Sequence, residues 1–310
     1  MREWLAADFG IDFVTLIRVR HGADNAAEVW RATAVGGSEY AVKWTSGGTT
    51  AAYEVTSYLA EAGVRGVPAP IRTSTGALWT TREGRRLSLT PWIDGARASE
   101  TGLTTDQWRQ YGGLLAEVHS QAVPDRLRAL LPPLNPINAR MPALAGELGQ
   151  RFATRAPEDD LEAELATTWL AHQGAVDALV ERTAQPPAPG PRVICHADPH
   201  LGNALVTPEQ LYLIDWDDAV LAPIEQDLLF MLGGMGSLGP TTEADRAAFF
   251  AGYGSAALDP TRLTYYRSAR ALEDVALWAE QAITGPDRAE SLEILQEVLG
   301  PDGLVVQALS

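Results

Sequence analysis

The sequence has a single cysteine, Cys195, in 310 residues, so no disulfide can close within the chain and a reducing compartment is expected. No apolar run approaches the roughly 20 residues needed to span a bilayer, which argues against a helical membrane segment. The opening "MREWLAADFGID" lacks the charged-then-apolar order of a secretion signal, so a cytoplasmic protein is expected. Positive charge is also short: 24 Lys and Arg stand against 40 Asp and Glu, a formal net charge of −16. That balance disfavours nucleic acid or an anionic membrane as partner and would concentrate cationic small molecules. Plain solubility fits it equally well, so charge alone does not choose a ligand. What is not short is hydrophobic content, 46%, enough for one large domain or two unequal lobes. The 21% of charged residues is ordinary for a globular chain and excludes wholesale disorder.

Along the chain the texture changes once. From residue 13 to about 93, short β-branched and aromatic runs alternate with Gly and Ser turns: "FVTLIRVR", "AEVWRATA", the turn "VGGS", then "EYAVKW". These read as antiparallel hairpins. "TTAAYEVTSYLAEAGV" then places Tyr53, Val55, Thr56, Leu59 and Ala60 near helical spacing and stops at Gly63. Two more strands follow in "APIRTSTGALWTTREGRRLSLTPWI", giving five strands with one helix inserted after the third. Past Gly95 the pattern turns helical, beginning with a Thr cap in "TTDQWRQYGGLLAEVHSQ" and continuing over 158–184 and several segments after 240. Residues 124–142 and "QPPAPGP" read as connectors. The expectation is a small β lobe over 1–94, a hinge at about 90–95, and a larger helical lobe over 95–310.

The chemistry is concentrated in "CHADPHLGN", residues 195–203, and in "LYLIDWDD", which ends the hairpin formed by "ALV", "TPEQ" and "LYLI". Asp198, Asn203 and Asp215 offer two carboxylates and an amide oxygen, a donor set suited to a hard cation such as Mg2+ that also meets phosphates. Zinc fits worse, because His196 and His200 lack a helical pairing and there is no cysteine pair. The spacing His196-x-Asp198-x-x-x-x-Asn203, followed by Asp215, fills the phosphoryl-transfer pattern position by position. In that pattern the loop Asp takes the proton of the attacking hydroxyl, while the Asn and the later Asp hold metal. A lysine on the third strand is also required, and "YAVKW" supplies Lys43, the first in the chain. His119 reads as a buried helix histidine, Trp216 as packing, and Cys195 as a small core residue.

On these residues, together with "GADNA", "EQDLLFMLGG", "GYG" and "YYRSARALEDVA", the chain resembles the aminoglycoside phosphotransferase and choline kinase superfamily. The catalytic loop of that superfamily has the form His-Gly-Asp-x-His-x-x-Asn. The likeness runs from the strand near 13 to beyond 270, and within the superfamily it is nearest to spectinomycin phosphotransferases. The resemblance implies an α+β, two-lobed, protein-kinase-like fold using ATP (or GTP) and Mg2+. It implies that Lys43 contacts the nucleotide phosphates, that the loop holding Asp24 and Asn25 covers them, and that Thr90 to Ile93, with Trp92, form the adenine hinge. It assigns Asp227 to support of the catalytic loop, and His196 reads as a scaffold of the same loop, since the loop aspartate already fills the role of base. The lysine's usual helix glutamate falls at neither Glu54 nor Glu61 cleanly, with Glu54 the nearer match. Asp217, Asp218, Glu273 and Asp274 are the candidates for binding the substrate, since each ammonium leaving water needs a carboxylate, and His200 is a candidate for touching nucleotide or substrate.

The expected activity is transfer of a phosphoryl group to a hydroxyl of a cationic antibiotic, spectinomycin first, by a monomer or weak homodimer. Three alternatives stay open: another cationic antibiotic such as a capreomycin-type cyclic peptide, a metabolic kinase for choline, homoserine or a sugar, and a silent nucleotide-binding regulator.

Overall fold

A computed structural model describes residues 1–19, 27–132, 136–232 and 238–310. In chain order the elements of the first half are α1 (Arg2–Phe9), β1 (Phe13–Val19), β2 (Ala27–Ala34), β3 (Glu39–Thr45), α2 (Ala51–Glu61), β4 (Thr80–Arg82), β5 (Arg85–Pro91), β6 (Ala96–Arg97), α3 (Ala98–Thr101), α4 (Thr105–Ser120), α5 (Asp125–Leu130) and α6 (Pro136–Thr154). The second half holds α7 (Asp160–Thr183), β7 (Val193–Cys195), β8 (Ala204–Val206), β9 (Leu211–Leu213), β10 (Val220–Ala222), α8 (Glu225–Leu228), α9 (Glu243–Tyr253), α10 (Pro260–Thr284), α11 (Arg288–Leu299) and α12 (Leu304–Leu309). The chain divides into two compact units. One comprises Met1–Leu131, His196–Ala219 and Ala248–Gly254; the other comprises Pro132–Cys195, Val220–Ala247 and Ser255–Ser310. None of the described helices is long and apolar enough to cross a membrane.

The first unit contains the expected five-stranded antiparallel sheet, in the order β1-β2-β3-β5-β4, with α2 following the third strand. β3 is central, so its residues pair on both sides: Lys43 faces Val29 on β2 and Ser88 on β5. One face of the sheet buries Ala32, Ala34, Val42, Leu87 and Leu89 against Leu5 and Phe9. Those last two belong to α1, a helix that the strand pattern does not announce. Leu5 and Phe9 are spaced i, i+4 and so share a face, and Gly10 ends the helix in the left-handed conformation at φ +67°. The predicted Thr cap is real: Thr104 and Gln107 form a reciprocal capping box at the start of α4. The hairpin also forms, β8 pairing β9 antiparallel from Ala204 opposite Leu213 to Val206 opposite Leu211, with β6 on its other edge.

The second unit is helical around α10, whose side chains Ala269, Leu272, Val275, Ala276 and Ala279 are buried. Asp259 caps α10 through the amides of Thr261 and Arg262, and Asp159 caps α7 through that of Glu162. β7 pairs β10, placing Cys195 opposite Val220. Residues 124–142 are not the plain connector expected. They include α5 and the first turns of α6, where Pro136 takes a starting position and Pro142 sits inside the helix. A proline at a helix start loses nothing, since that N–H has no partner within the helix.

Candidate active site

β7 ends at Cys195, and the chain then makes a tight loop whose every turn is hydrogen-bonded. His196 is fully buried, with Nε2 2.8 Å from the Ile214 carbonyl and Nδ1 accepting from the Asp198 amide at 3.2 Å. The two bonds together require a neutral ring carrying its proton on Nε2. Its ring meets Trp216 edge to face at 4.6 Å, and Trp216 donates Nε1–H to the Leu213 carbonyl. Ala197 turns the backbone at φ +71°, a region that an alanine enters only at a cost.

Asp198 is positioned from several sides. Its carbonyl accepts from the His200 amide at 2.9 Å and from Asn203 Nδ2 at 2.9 Å, and Asn203 Nδ2 lies 3.1 Å from Asp198 Oδ2. His200 Nδ1 accepts from the Gly202 amide, which leaves its proton on Nε2, 3.3 Å from the same Asp198 oxygen. His200, expected among the substrate ligands, thus sits beside the loop aspartate. Two residues without a signal in the loop pattern also pin it: the Tyr111 hydroxyl donates to the Pro199 carbonyl, and Arg97 Nη1 donates to the Gly202 carbonyl at 2.5 Å. Tyr111 belongs to the apolar stripe of α4 and is legible there only as core. His119, on the same helix, is buried with Nδ1 2.7 Å from the Tyr253 hydroxyl.

Asp215 lies two residues past the end of β9. Its backbone is also left-handed, φ +62°, and the Ile214 amide donates to the Asn203 carbonyl at 2.9 Å, tying the hairpin end to the loop. The Asp215 carboxylate is half exposed and lies 3.2 Å from Lys43 Nζ, while Asp217 Oδ2 lies at 2.7 Å from the same nitrogen. Burial would lower the pKa of the Lys43 ammonium, but the charges of Asp215 and Asp217 outweigh it and hold the pKa above the usual lysine range. With its amide protons turned to Asp198, Asn203 keeps its Oδ1 for a cation. Beside the exposed carboxylate of Asp215 this makes an all-oxygen donor set that fits Mg2+.

The remaining candidates are placed as follows. Glu54 lies in the first turn of α2 and is not paired with Lys43, while Glu61 is engaged by Arg72 at 3.0 Å and Arg126 at 3.8 Å. Thr90 pairs with Ala41 across β5 and β3; Trp92 donates its amide to the Glu39 carbonyl and lies under the Arg31 guanidinium at 5.1 Å. Asp218 occupies the turn after Asp217. Asp24 and Asn25 lie outside the described residues. In the second unit, Asp227 is fully buried on α8, and Glu273 and Asp274 lie on α10, where Asp274 Oδ1 is 2.9 Å from Arg270 Nε. Burial first, then the Asp227 carboxylate, pushes the Cys195 thiol well above its ordinary pKa, which leaves it an unreactive core group.

The lysine of a central strand, an aspartate and asparagine on one hydrogen-bonded loop and an aspartate at the next strand end define a kinase-type phosphotransferase. A family model described as the phosphotransferase enzyme family matches residues 15–272, and the chain belongs to this family of small-molecule kinases. Curated protein sequences give no match. Among solved structures, spectinomycin phosphotransferase in complex with ADP and spectinomycin is similar at 27% identity over 100% of this chain and 96% of that one, with a TM-score of 0.89. The AMP-bound complex of spectinomycin phosphotransferase gives 26% identity, 100% and 97% coverage, and a TM-score of 0.86. Amicoumacin kinase, solved with AMP-PNP, Ca2+ and Ami, shares the fold at 16% identity, 99% and 96% coverage, and a TM-score of 0.62.

Proposed function

We propose that the protein is an ATP-dependent O-phosphotransferase that modifies a hydroxyl of a cationic antibiotic of the spectinomycin type. The observation that carries this reading is the set Lys43, Asp198, Asn203 and Asp215 within one unit, in a chain similar along its whole length to a spectinomycin phosphotransferase. Residues 1–94 serve as the nucleotide lobe, with Thr90 and Trp92 at the adenine and Lys43 at the phosphates. Residues 95–310 carry the loop and the acceptor site. The enzyme acts in the cytoplasm as a monomer or weak dimer.

In the reaction Asp198 accepts the proton of the acceptor hydroxyl as its oxygen bonds to the γ-phosphorus and the bond to the bridging β–γ oxygen breaks, leaving ADP. Asn203 and Asp215 would hold Mg2+, which when bound neutralises the phosphate charge. Lys43 supplies a further positive charge that is present throughout the physiological pH range. His196 supports the loop through its two ring hydrogen bonds. Asp218, two residues past the metal-site aspartate Asp215 in sequence numbering by three positions, is the carboxylate proposed to meet an ammonium group of the drug. A product carrying a phosphate near −2 would be repelled by an RNA target.

The net charge of −16 favours one second reading, a larger polycationic antibiotic such as a basic cyclic peptide, on the same machinery. Expression in a sensitive bacterium tests both. Wild type should raise the inhibitory concentration of spectinomycin, and Asp198→Ala should not. Protection against a basic peptide or another aminoglycoside, without protection against spectinomycin, keeps the chemistry and replaces the substrate. Antibiotic-stimulated ADP release from purified protein separates either outcome from a silent regulator.

A further inference from the structure

We propose that Asp217 is the positioning residue of Lys43, in place of the helix glutamate that the superfamily pattern calls for. The inference rests on the reading above in which Lys43 meets nucleotide phosphates. Lys43 has two carboxylates in reach, and they differ. Asp217 is nearer, 2.7 Å against 3.2 Å, and only 23% exposed against 51% for Asp215. A short contact away from water is the one that fixes an ammonium in direction. Asp215 is the candidate metal ligand, and a carboxylate sharing its charge with a dication holds an ammonium less strongly than one that does not. Asp217 gives Lys43 a partner of its own, separate from the candidate metal ligand.

The seat of Asp217 is built from backbone. β3 runs into the turn Thr45-Ser46-Gly47-Gly48, and Gly48 comes so close that a Cβ there would fall 2.7 Å from Asp217 Oδ2 and 2.8 Å from Cγ. Gly48 also adopts φ +64°, which other residues enter only with strain. Arg86 holds this turn through the carbonyls of Gly47 and Gly48, and the Gly47 amide donates to Thr45 Oγ1 at 2.9 Å. The helix glutamates are differently disposed: Glu61 is held by Arg72, and Glu54 is unpaired with Lys43. Asp217 was a candidate for the substrate's ammonium groups; the geometry gives it the protein's own ammonium instead.

The test is Asp217→Asn, with Asp217→Glu as the conservative partner, using calorimetry with adenosine, AMP, ADP and MgATP and kinetics with spectinomycin as acceptor. In Asp217→Asn the gain in affinity from adenosine to ADP and MgATP should shrink about tenfold, because a misdirected ammonium meets the phosphates poorly. Adenosine binding should be kept, which shows the site folded, and the acceptor KM should move less than about twofold, since uniform acceptor binding is untouched. Asp217→Glu should restore part of the phosphate increment. Unchanged MgATP affinity with a raised acceptor KM would make Asp217 a substrate ligand and overturn the inference. So would a phosphate increment that depends on Glu54→Gln and not on Asp217→Asn. Wild-type protein that binds no nucleotide at all would remove the proposed function, and this inference with it; the two failures are thus distinct.

Discussion

Asn203 holds Asp198 at two points, its Nδ2 donating to the Asp198 carbonyl at 2.9 Å and lying 3.1 Å from the Asp198 carboxylate oxygen. One side chain therefore aims the proposed base and, through its other amide atom, faces the proposed metal. Asn203→Ala should lower kcat by about 100-fold, combining a misaimed base with a lost ligand. MgATP affinity should fall and adenosine affinity should not. Calorimetry beside steady-state kinetics reads both. A kcat within about threefold of wild type would show that Asp198 is aimed by its other neighbours alone.

Ala197 sits where the superfamily loop has glycine, and it stands at φ +71°. An L-residue there costs about 1–2 kcal/mol relative to glycine, while the buried methyl group returns about 0.8 kcal/mol. Strain is the larger of the two, so Ala197→Gly should stabilise the protein by up to about 1 kcal/mol. Urea unfolding with an unchanged slope and a higher midpoint is the expected result. A lower midpoint would mean that packing of the methyl group outweighs the backbone.

The site residues that were legible in the sequence are those whose spacing is itself the chemistry. Asp198, Asn203 and Asp215 lie on one loop and one strand end, and Lys43 on the third strand, where the phosphoryl-transfer pattern asks for a lysine, so motif spacing was enough to propose them as one site. The partner of Lys43 was not legible. Asp217 is 174 residues away along the chain, and its direction is set by a left-handed turn at Asp215 and the close approach of Gly48. Tyr111 and Arg97 were invisible for a related reason. Their side chains serve the loop, but their sequence context is an ordinary helix face and a two-residue strand. The helix α1 escaped because only two of its residues are buried, Leu5 and Phe9, and its stability comes from the sheet beneath it. The prolines of 124–142 read as breakers, yet one of them starts a helix.

Asp159 links local capping to pH. It accepts from the Glu162 amide at the start of α7 and pairs with Arg288 at 2.7 Å; the Arg288 hydrogen bond first, then that amide, holds its carboxyl below the usual aspartate range. A carboxylate with a depressed folded pKa stabilises the fold above its unfolded value, about 3.9, and loses that contribution as pH falls through the folded value. Asp159→Ala should therefore melt below wild type at pH 7, with the gap narrowing as pH drops below about 4. A gap independent of pH would assign the effect to something other than the charge.

Lys43 is the sole lysine of the sequence, so besides the α-amino group it is the one amine that an acylating reagent can find. Only the neutral amine reacts. Burial would favour that form, but the charges of Asp215 and Asp217 prevail and keep Lys43 protonated beyond the ordinary lysine value of about 10.4. By the same sign, the stabilisation from this ammonium is complete below about pH 10.4 and is lost only as pH rises through the higher folded value. Acetylation with an N-hydroxysuccinimide ester at pH 8, followed by mass spectrometry, should mark the α-amine first and Lys43 slowly. Unfolding in urea should bring Lys43 to the rate of a free lysine. Asp217→Asn should quicken labelling in the folded protein, since one of the two charges that hold the proton is gone. Equal rates for Lys43 in the folded wild type and in urea would contradict the ion-paired lysine on which the site is built.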